Sequence, residues 1–245
     1  MDIRVFEDAV SLGIASGKEA AGRIKEVIAE KGHACLVLAT GTSQFETLAV
    51  LLRDKEIDWS NVTMFHLDEY IGLPITHKAS FRKYLRERFI DKLPMLGAYH
   101  LINGENDPAE ECRRLGALIE QHPIDILLCG VGENGHLAFN DPPADFDTTD
   151  PYIVVELDEA CRRQQLGEGW FPGLDDVPTK AISMSIQQIM KAEHIICSVP
   201  DERKAKAIGD CFSGGITNMH PASILQSHPR CTLYLDQHSS RSLNS

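Results

Sequence analysis

Residues 124–136 read Ile-Asp-Ile-Leu-Leu-Cys-Gly-Val-Gly-Glu-Asn-Gly-His. Ile124–Cys129 is a short apolar run with the length of a fully buried strand, and it empties into a loop with three glycines in six positions. A strand buried on both faces belongs to a parallel sheet, whose loops at the carboxyl ends carry ligands. Outward from this segment the same unit recurs. Ile3–Phe6, Ala34–Leu38, Val62–His66, Tyr99–Ile102, Ile153–Glu156, His194–Ser198 and Cys231–Leu235 read as further strands. Stretches near 7–31, 43–54, 80–92, 108–121, 181–191 and 201–212 carry helical spacing, as Ala20, Ile24, Val27 and Ile28 illustrate. The alternation predicts an α/β protein, a single-domain, doubly wound, mostly parallel sheet with helices on both faces, in the modified Rossmann-like manner. That domain is expected to span 1–245, with a lid or long loop region around 140–178, where Pro142, Pro143, Pro151, Pro172 and Pro178 interrupt any long helix. A short strand and helix fit within it.

Length agrees with one large domain, and 43% hydrophobic residues supply its core. With 36 acidic against 24 basic side chains the net charge is −12, and no Lys/Arg block interrupts it. Nucleic acid and anionic membrane surfaces are therefore poor partners, since backbone binding needs a positive footprint. Seven scattered cysteines without a Cys-x-x-Cys pair suggest reduced thiols. The beginning Met-Asp-Ile-Arg-Val-Phe has no leader character, and no apolar run is long enough to span a bilayer. A cytoplasmic protein is expected.

Three segments could carry chemistry. Ala39-Thr40-Gly41-Thr42-Ser43 follows a strand and opens a helix, so it is either a phosphate cradle or an ordinary N-cap. Asp68 and Glu69 follow Val62–His66 as adjacent carboxylates; one held out of water would be a general base, and the bland alternative is a pair of solvated loop acids. The Gly130–Pro142 segment delivers His136 to the sheet's carboxyl edge, with Asn134 and Asp141 near enough in sequence to orient it. Its glycine spacing is not that of a dinucleotide fingerprint. A lone His is more often structural, but in a Gly-rich loop after a strand catalysis is the stronger reading. Arg162, Arg163 and Lys204 are solvated surface charges or, in so acidic a chain, the donors an anionic substrate requires. His and Cys show no metal-ligand spacing, and no Gly-x-Ser-x-Gly elbow is present.

In chain order, Ala39-Thr40-Gly41-Thr42, Leu67-Asp68-Glu69-Tyr70-Ile71-Gly72-Leu73-Pro74, the Gly132–Pro142 segment, Val177-Pro178-x-x-Ala181-Ile182 and Pro221-Ala222-Ser223-x-Leu225-Gln226-x-His228 resemble the glucosamine-6-phosphate deaminase (isomerase) family. The match runs nearly end to end. The related 6-phosphogluconolactonases share the fold, but their Asp-Gly-His-Thr-Ala segment is not what stands here. The resemblance implies aldose–ketose isomerisation with deamination, converting D-glucosamine 6-phosphate and water to D-fructose 6-phosphate and ammonia. By similarity Asp68 takes the C2 proton and returns it at C1, and His136 assists ring opening. Asp141 stands where the family has a supporting Glu, and Asn134 where most members have Asp. Gly41, Thr42, Ser43, Arg162 and Lys204 would hold the phosphate, with Arg163 a competitor of Arg162.

No cofactor and no metal is implied. The partner is a small phosphorylated amino sugar, and a homo-oligomer of the chain is compatible with the sequence. Three other functions stand as alternatives: a galactosamine-6-phosphate isomerase, a 6-phosphogluconolactonase-like hydrolase and a non-catalytic sugar-phosphate sensor. The stretch after Asp141 lacks the Ser-Ser and Arg-Thr-Arg elements of allosteric relatives, so an unregulated enzyme is expected.

Overall fold

A computed structural model describes residues 1–243; the last two residues of the expected domain lie outside the described residues. Its strands are β1 (Asp2–Phe6), β2 (Ala34–Leu38), β3 (Val62–His66), β4 (Asp68–Tyr70), β5 (Ala98–Tyr99), β6 (Ile126–Cys129), β7 (Tyr152–Glu156), β8 (Lys180–Met184), β9 (His194–Val199) and β10 (Cys231–Asp236). Between them run α1 (Ala9–Lys31), α2 (Phe45–Arg53), α3 (Phe81–Arg88), α4 (Pro108–Ile119), α5 (Glu159–Gly167), α6 (Ile186–Ile189) and α7 (Ala205–Phe212). Seven strands form one parallel sheet in the order β1-β10-β9-β6-β2-β3-β5. From β2 the chain adds β3 and β5 on one side, then returns to add β6, β9 and β10 on the other. The order reverses between β2 and β6, where a crevice opens beyond the strand ends.

Strict alternation along the central strands makes two cores from one sheet. In β2, Ala34, Leu36 and Leu38 face Leu12 and Ile24 of α1, Leu48 and Leu51 of α2 and Leu85 of α3. Cys35 and Val37 face the opposite way, with Leu115 and Ile119 of α4 and Ile208 and Cys211 of α7. Ile126 and Leu128 against Leu127 and Cys129 repeat the division in β6. Helix ends are set by local chemistry. Asp8 caps α1 through the Ser11 amide in a capping box, and Gly32 ends it at φ 77°.

Three elements differ from the sequence reading. The expected helix over 181–191 is strand β8 followed by the short α6, because Ser185 caps the Gln188 amide and no helical turn starts before it. Residues 180–184 instead pair antiparallel with β7 and β4, giving a second, three-stranded sheet. Asp68 and Glu69 thus belong to a strand rather than a loop. The strand expected over Tyr99–Ile102 is reduced to Ala98–Tyr99. The Ile102 amide is spent instead on the ring of His66, donating to Nε2 at 2.8 Å. Within 140–178 the chain forms β7 and α5, which pack on Tyr70, Phe139, Phe171 and Ala181 as a third, small core.

His66 is fully buried with Nε2 accepting, so its proton sits on Nδ1 and the ring is neutral. Burial, helped by the Arg82 charge, pushes its pKa down to about 3. Between pH 6.5 and 3 the unfolded chain therefore takes up a proton that the native state refuses, and stability falls as pH falls. The expected loss attributable to His66 is about 1.4 kcal/mol per pH unit in that window. Urea midpoints at pH 7.5 and 5 for wild type and His66→Gln, which keeps an acceptor for Ile102, check this. Equal pH dependence in both would remove His66 as the cause.

Candidate active site

A cavity of about 480 Å³ occupies the crevice where the sheet order reverses, and the loops after β2, β3, β6 and β9 converge on it. After β2 the backbone turns at Gly41, whose φ of 102° excludes a side chain without strain. Thr42–Gln44 then form a turn of 3-10 helix continuous with α2. The amides of Thr42 and Ser43 open this helix and meet no acceptor among the described residues, an arrangement that favours an anion. Neighbouring loops hold the cradle in place. Tyr84 donates to the Gly41 carbonyl at 3.0 Å, and the Gln44 amide bridges Ser43 Oγ and the Cys129 carbonyl at 3.1 and 3.2 Å.

β3 leads through Leu67 directly into β4, which fixes Asp68 by backbone pairing to Ser183. Its carboxylate lines the cavity at 8% exposure, and among the described residues no donor reaches it. Burial, with the neighbouring Glu69 charge adding, pushes its pKa up to about 8. Glu69 points the other way. It is fully buried and accepts from Ser80 Oγ, the Tyr70, Phe81 and Arg82 amides and Arg82 Nε at 2.8 to 3.4 Å. The adjacent acids are thus divided between an unpartnered carboxylate facing the cavity and a structural anchor for the start of α3.

His136 lies over Gly132, where a Cβ would fall 2.3 Å from the imidazole. Gly132 is required because the ring occupies the volume of any side chain there. His136 Nδ1 meets Asp141 Oδ1 at 3.0 Å, leaving Nε2 as the other functional nitrogen. Burial raises the Asp141 pKa, but the His136 hydrogen bond and charge, the Asn134 amide and the Asp158 N–H outweigh it, and the net shift is downward. Asn134 does not touch the ring. Its Oδ1 accepts the His136 backbone N–H at 3.1 Å and its Nδ2 donates to Asp141 at 3.0 Å, so it braces the loop and the carboxylate. Cys161, His136 and Asp141 also have their ligand atoms within 4.8 Å of one another, a grouping that sequence spacing does not reveal. Burial and the nearby carboxylates drive the Cys161 thiol far above its usual pKa and keep it protonated.

β9 delivers the cationic side. Asp201 adopts φ 90°, with its N–H held by buried Asp236 at 3.0 Å, and the next turn carries Arg203 and Lys204 to the cavity. Arg203 is engaged by Asp201 and Glu133 at 3.0 and 3.5 Å. Lys204 has no carboxylate within 4.0 Å among the described residues, and its burial lowers its pKa. Arg162 is a correction to the sequence reading. Its guanidinium donates to the carbonyls of Leu174 and Val177 at 2.6 and 3.1 Å, outside the cavity, and closes the segment after α5. Arg163 is on the surface with Glu159. In their place α5 and its C-terminal end supply Gln165, Glu168 and Trp170 to the cavity wall, none of which the motifs had singled out. Gly41, Thr42, Ser43, Asp68, His136 and Lys204 are brought together; Asn134 and Asp141 stand behind His136.

One cavity on a doubly wound α/β scaffold thus gathers the buried Asp68 carboxylate, which meets no donor among the described residues, the Thr42 and Ser43 segment and Lys204, the arrangement of an enzyme site for a small anion. A family model described as glucosamine-6-phosphate isomerases/6-phosphogluconolactonase matches residues 7–234, and the chain belongs to that family. A glucosamine-6-phosphate deaminase of Bacillus cytotoxicus is 36% identical over 97% of this chain and 87% of its own length. One from Bacillus thuringiensis is 37% identical over 87% and 80%. Among solved structures, a monomeric glucosamine-6-phosphate deaminase superposes with a TM-score of 0.88 at 30% identity, covering 99% of this chain and 100% of its own. A 6-phosphogluconolactonase from Shewanella baltica, 16% identical with a TM-score of 0.80 over 96% and 97% of the two chains, shares the fold.

Proposed function

We propose that the chain converts D-glucosamine 6-phosphate and water to D-fructose 6-phosphate and ammonia. The observation that carries this reading is the Asp68 carboxylate, buried, without a donor among the described residues and raised in pKa, in a cavity also lined by Gly41, Thr42 and Ser43. A binding protein has no use for such a base, whereas proton transfer beside a carbonyl requires one. The phosphate sits on the Thr42 and Ser43 amides and Lys204. His136, oriented by Asp141, takes the C1 hydroxyl proton and delivers it to the ring oxygen as the C1–O5 bond breaks. Asp68 then removes the proton from C2 as the C1=C2 bond forms and the carbonyl electron pair moves onto O1; the same proton returns to C1, and O1 takes a proton from the amino nitrogen, which leaves the imine at C2. Water adds to the resulting C2 imine and ammonia leaves, so the net reaction consumes one water and releases one ammonia.

The purified chain should release ammonia and fructose 6-phosphate in equal amounts from glucosamine 6-phosphate, more slowly from galactosamine 6-phosphate, and should leave 6-phosphogluconolactone untouched. A reversed order of the two sugars assigns the other epimer. Lactone hydrolysis or no turnover defeats the proposal. Because the Ser-Ser and Arg-Thr-Arg elements are missing after Asp141, saturation should be hyperbolic and indifferent to N-acetylglucosamine 6-phosphate. Sigmoidal kinetics relieved by that compound would contradict this.

A further inference from the structure

Gln165 is a buried amide, 6% exposed, on the cavity face of α5. Its carbonyl Oε1 accepts the Tyr70 hydroxyl at 2.8 Å. The phenol is itself immobilised, with Phe81, Phe139 and Phe171 ring centroids 5.1, 5.2 and 5.6 Å away. A phenol O–H needs an acceptor, so this contact fixes which end of the amide is which and leaves the Nε2 donors toward the cavity. Those donors have no acceptor among the described residues. The adjacent Gln164 differs in spending both ends, its Oε1 on the Glu133 N–H at 2.8 Å and its Nε2 on Glu168 at 3.2 Å. An oriented donor that opens onto a cavity is placed for a ligand hydroxyl to take up in exchange for water. Tyr70 lies close enough to Asp68 to feel its charge, which puts the amide toward the reacting end of the cavity.

We propose that Gln165 is a specificity-determining residue whose amide donates to a sugar hydroxyl lying between the reacting carbon and the phosphate, at C3 or C4, with Tyr70 as its positioning residue. The inference rests on the amino-sugar phosphate reading above. In the closed ring of that substrate these are the two hydroxyls between C2, which Asp68 addresses, and the phosphate-bearing end; the C5 oxygen is the ring oxygen, which His136 serves.

The test compares wild type, Gln165→Met and Tyr70→Phe on glucosamine 6-phosphate and on its 3-deoxy and 4-deoxy analogues. Gln165→Met should lose about tenfold or more in kcat/KM on the parent sugar, and much less on the analogue that already lacks the recognised hydroxyl. Tyr70→Phe, which frees the amide to rotate, should lose part of the same discrimination against that analogue. Equal losses on all three sugars, or none, with an active wild type would make Gln165 a packing residue and overturn the inference. A wild type that turns over none of the sugars defeats the functional reading instead, and the inference with it.

Discussion

Asp68→Asn is expected to fold, to bind inorganic phosphate as wild type does, and to lose at least about a hundredfold in kcat, the usual scale for removing a general base. The amide has the size of the carboxylate but cannot hold a proton. Stability gives an independent readout. With a native pKa of about 8 against an ordinary 3.8, the native state holds a proton that the unfolded chain has released across that interval. Stability conferred by the protonated acid is therefore complete below about pH 4 and lost as pH rises through 8, so ionised Asp68 is destabilising. Asp68→Asn should be more stable to unfolding than wild type at pH 8, by an amount on the order of a few kcal/mol. The two effects point in opposite directions, so lost activity cannot be mistaken for unfolding. In the wild type, kcat/KM should rise with pH toward a midpoint near 8 as the base ionises. Near-normal turnover in Asp68→Asn would take Asp68 out of the mechanism.

Lys204→Met should raise KM by about thirtyfold or more, because removing one partner of a buried charged hydrogen bond costs about 2–5 kcal/mol. Competition by inorganic phosphate should weaken in parallel, with kcat less affected. The expectation rests on Lys204 lining the cavity with no carboxylate within 4.0 Å of its ammonium among the described residues. Arg162→Met makes the opposite pair of changes. Its guanidinium is spent on the Leu174 and Val177 carbonyls, so that variant should lose stability while keeping its KM for substrate. A large KM effect for Arg162→Met with none for Lys204→Met would reverse the assignment of the anion donor.

The parallel sheet was legible because its central strands are apolar on both faces and the helices between them keep one periodicity. What escaped depends on partners far along the chain. Glu69 looks like half of a solvated acid pair until Ser80 and the Arg82 backbone and side chain, more than ten residues away, are folded onto it. Only then is a strand containing two acids tolerable in a core. The 181–191 stretch has helical spacing, and the edge offered by β4 and β7 overrides it for residues 180–184. A sequence displays the charge on Arg162 but not the two carbonyls, 12 and 15 residues later, that use it. Asn134, two residues from His136, suggested a partner for the ring; the turn made by Gly132 and Gly135 gives it the backbone N–H instead. Gln165 carries no charge and follows no motif, and its role depends on a tyrosine on another element.

The most direct test follows the C2 hydrogen itself. Glucosamine 6-phosphate deuterated at C2 is incubated at saturation with wild type and with Asp68→Asn, and label at C2 of the remaining sugar and at C1 of the product is followed by NMR. Wild type should remove deuterium from C2 in every turnover, with a normal primary isotope effect where that step limits the rate. Asp68→Asn should bind the same sugar and leave the label at C2. Loss of C2 deuterium at the wild-type rate in Asp68→Asn would contradict the account.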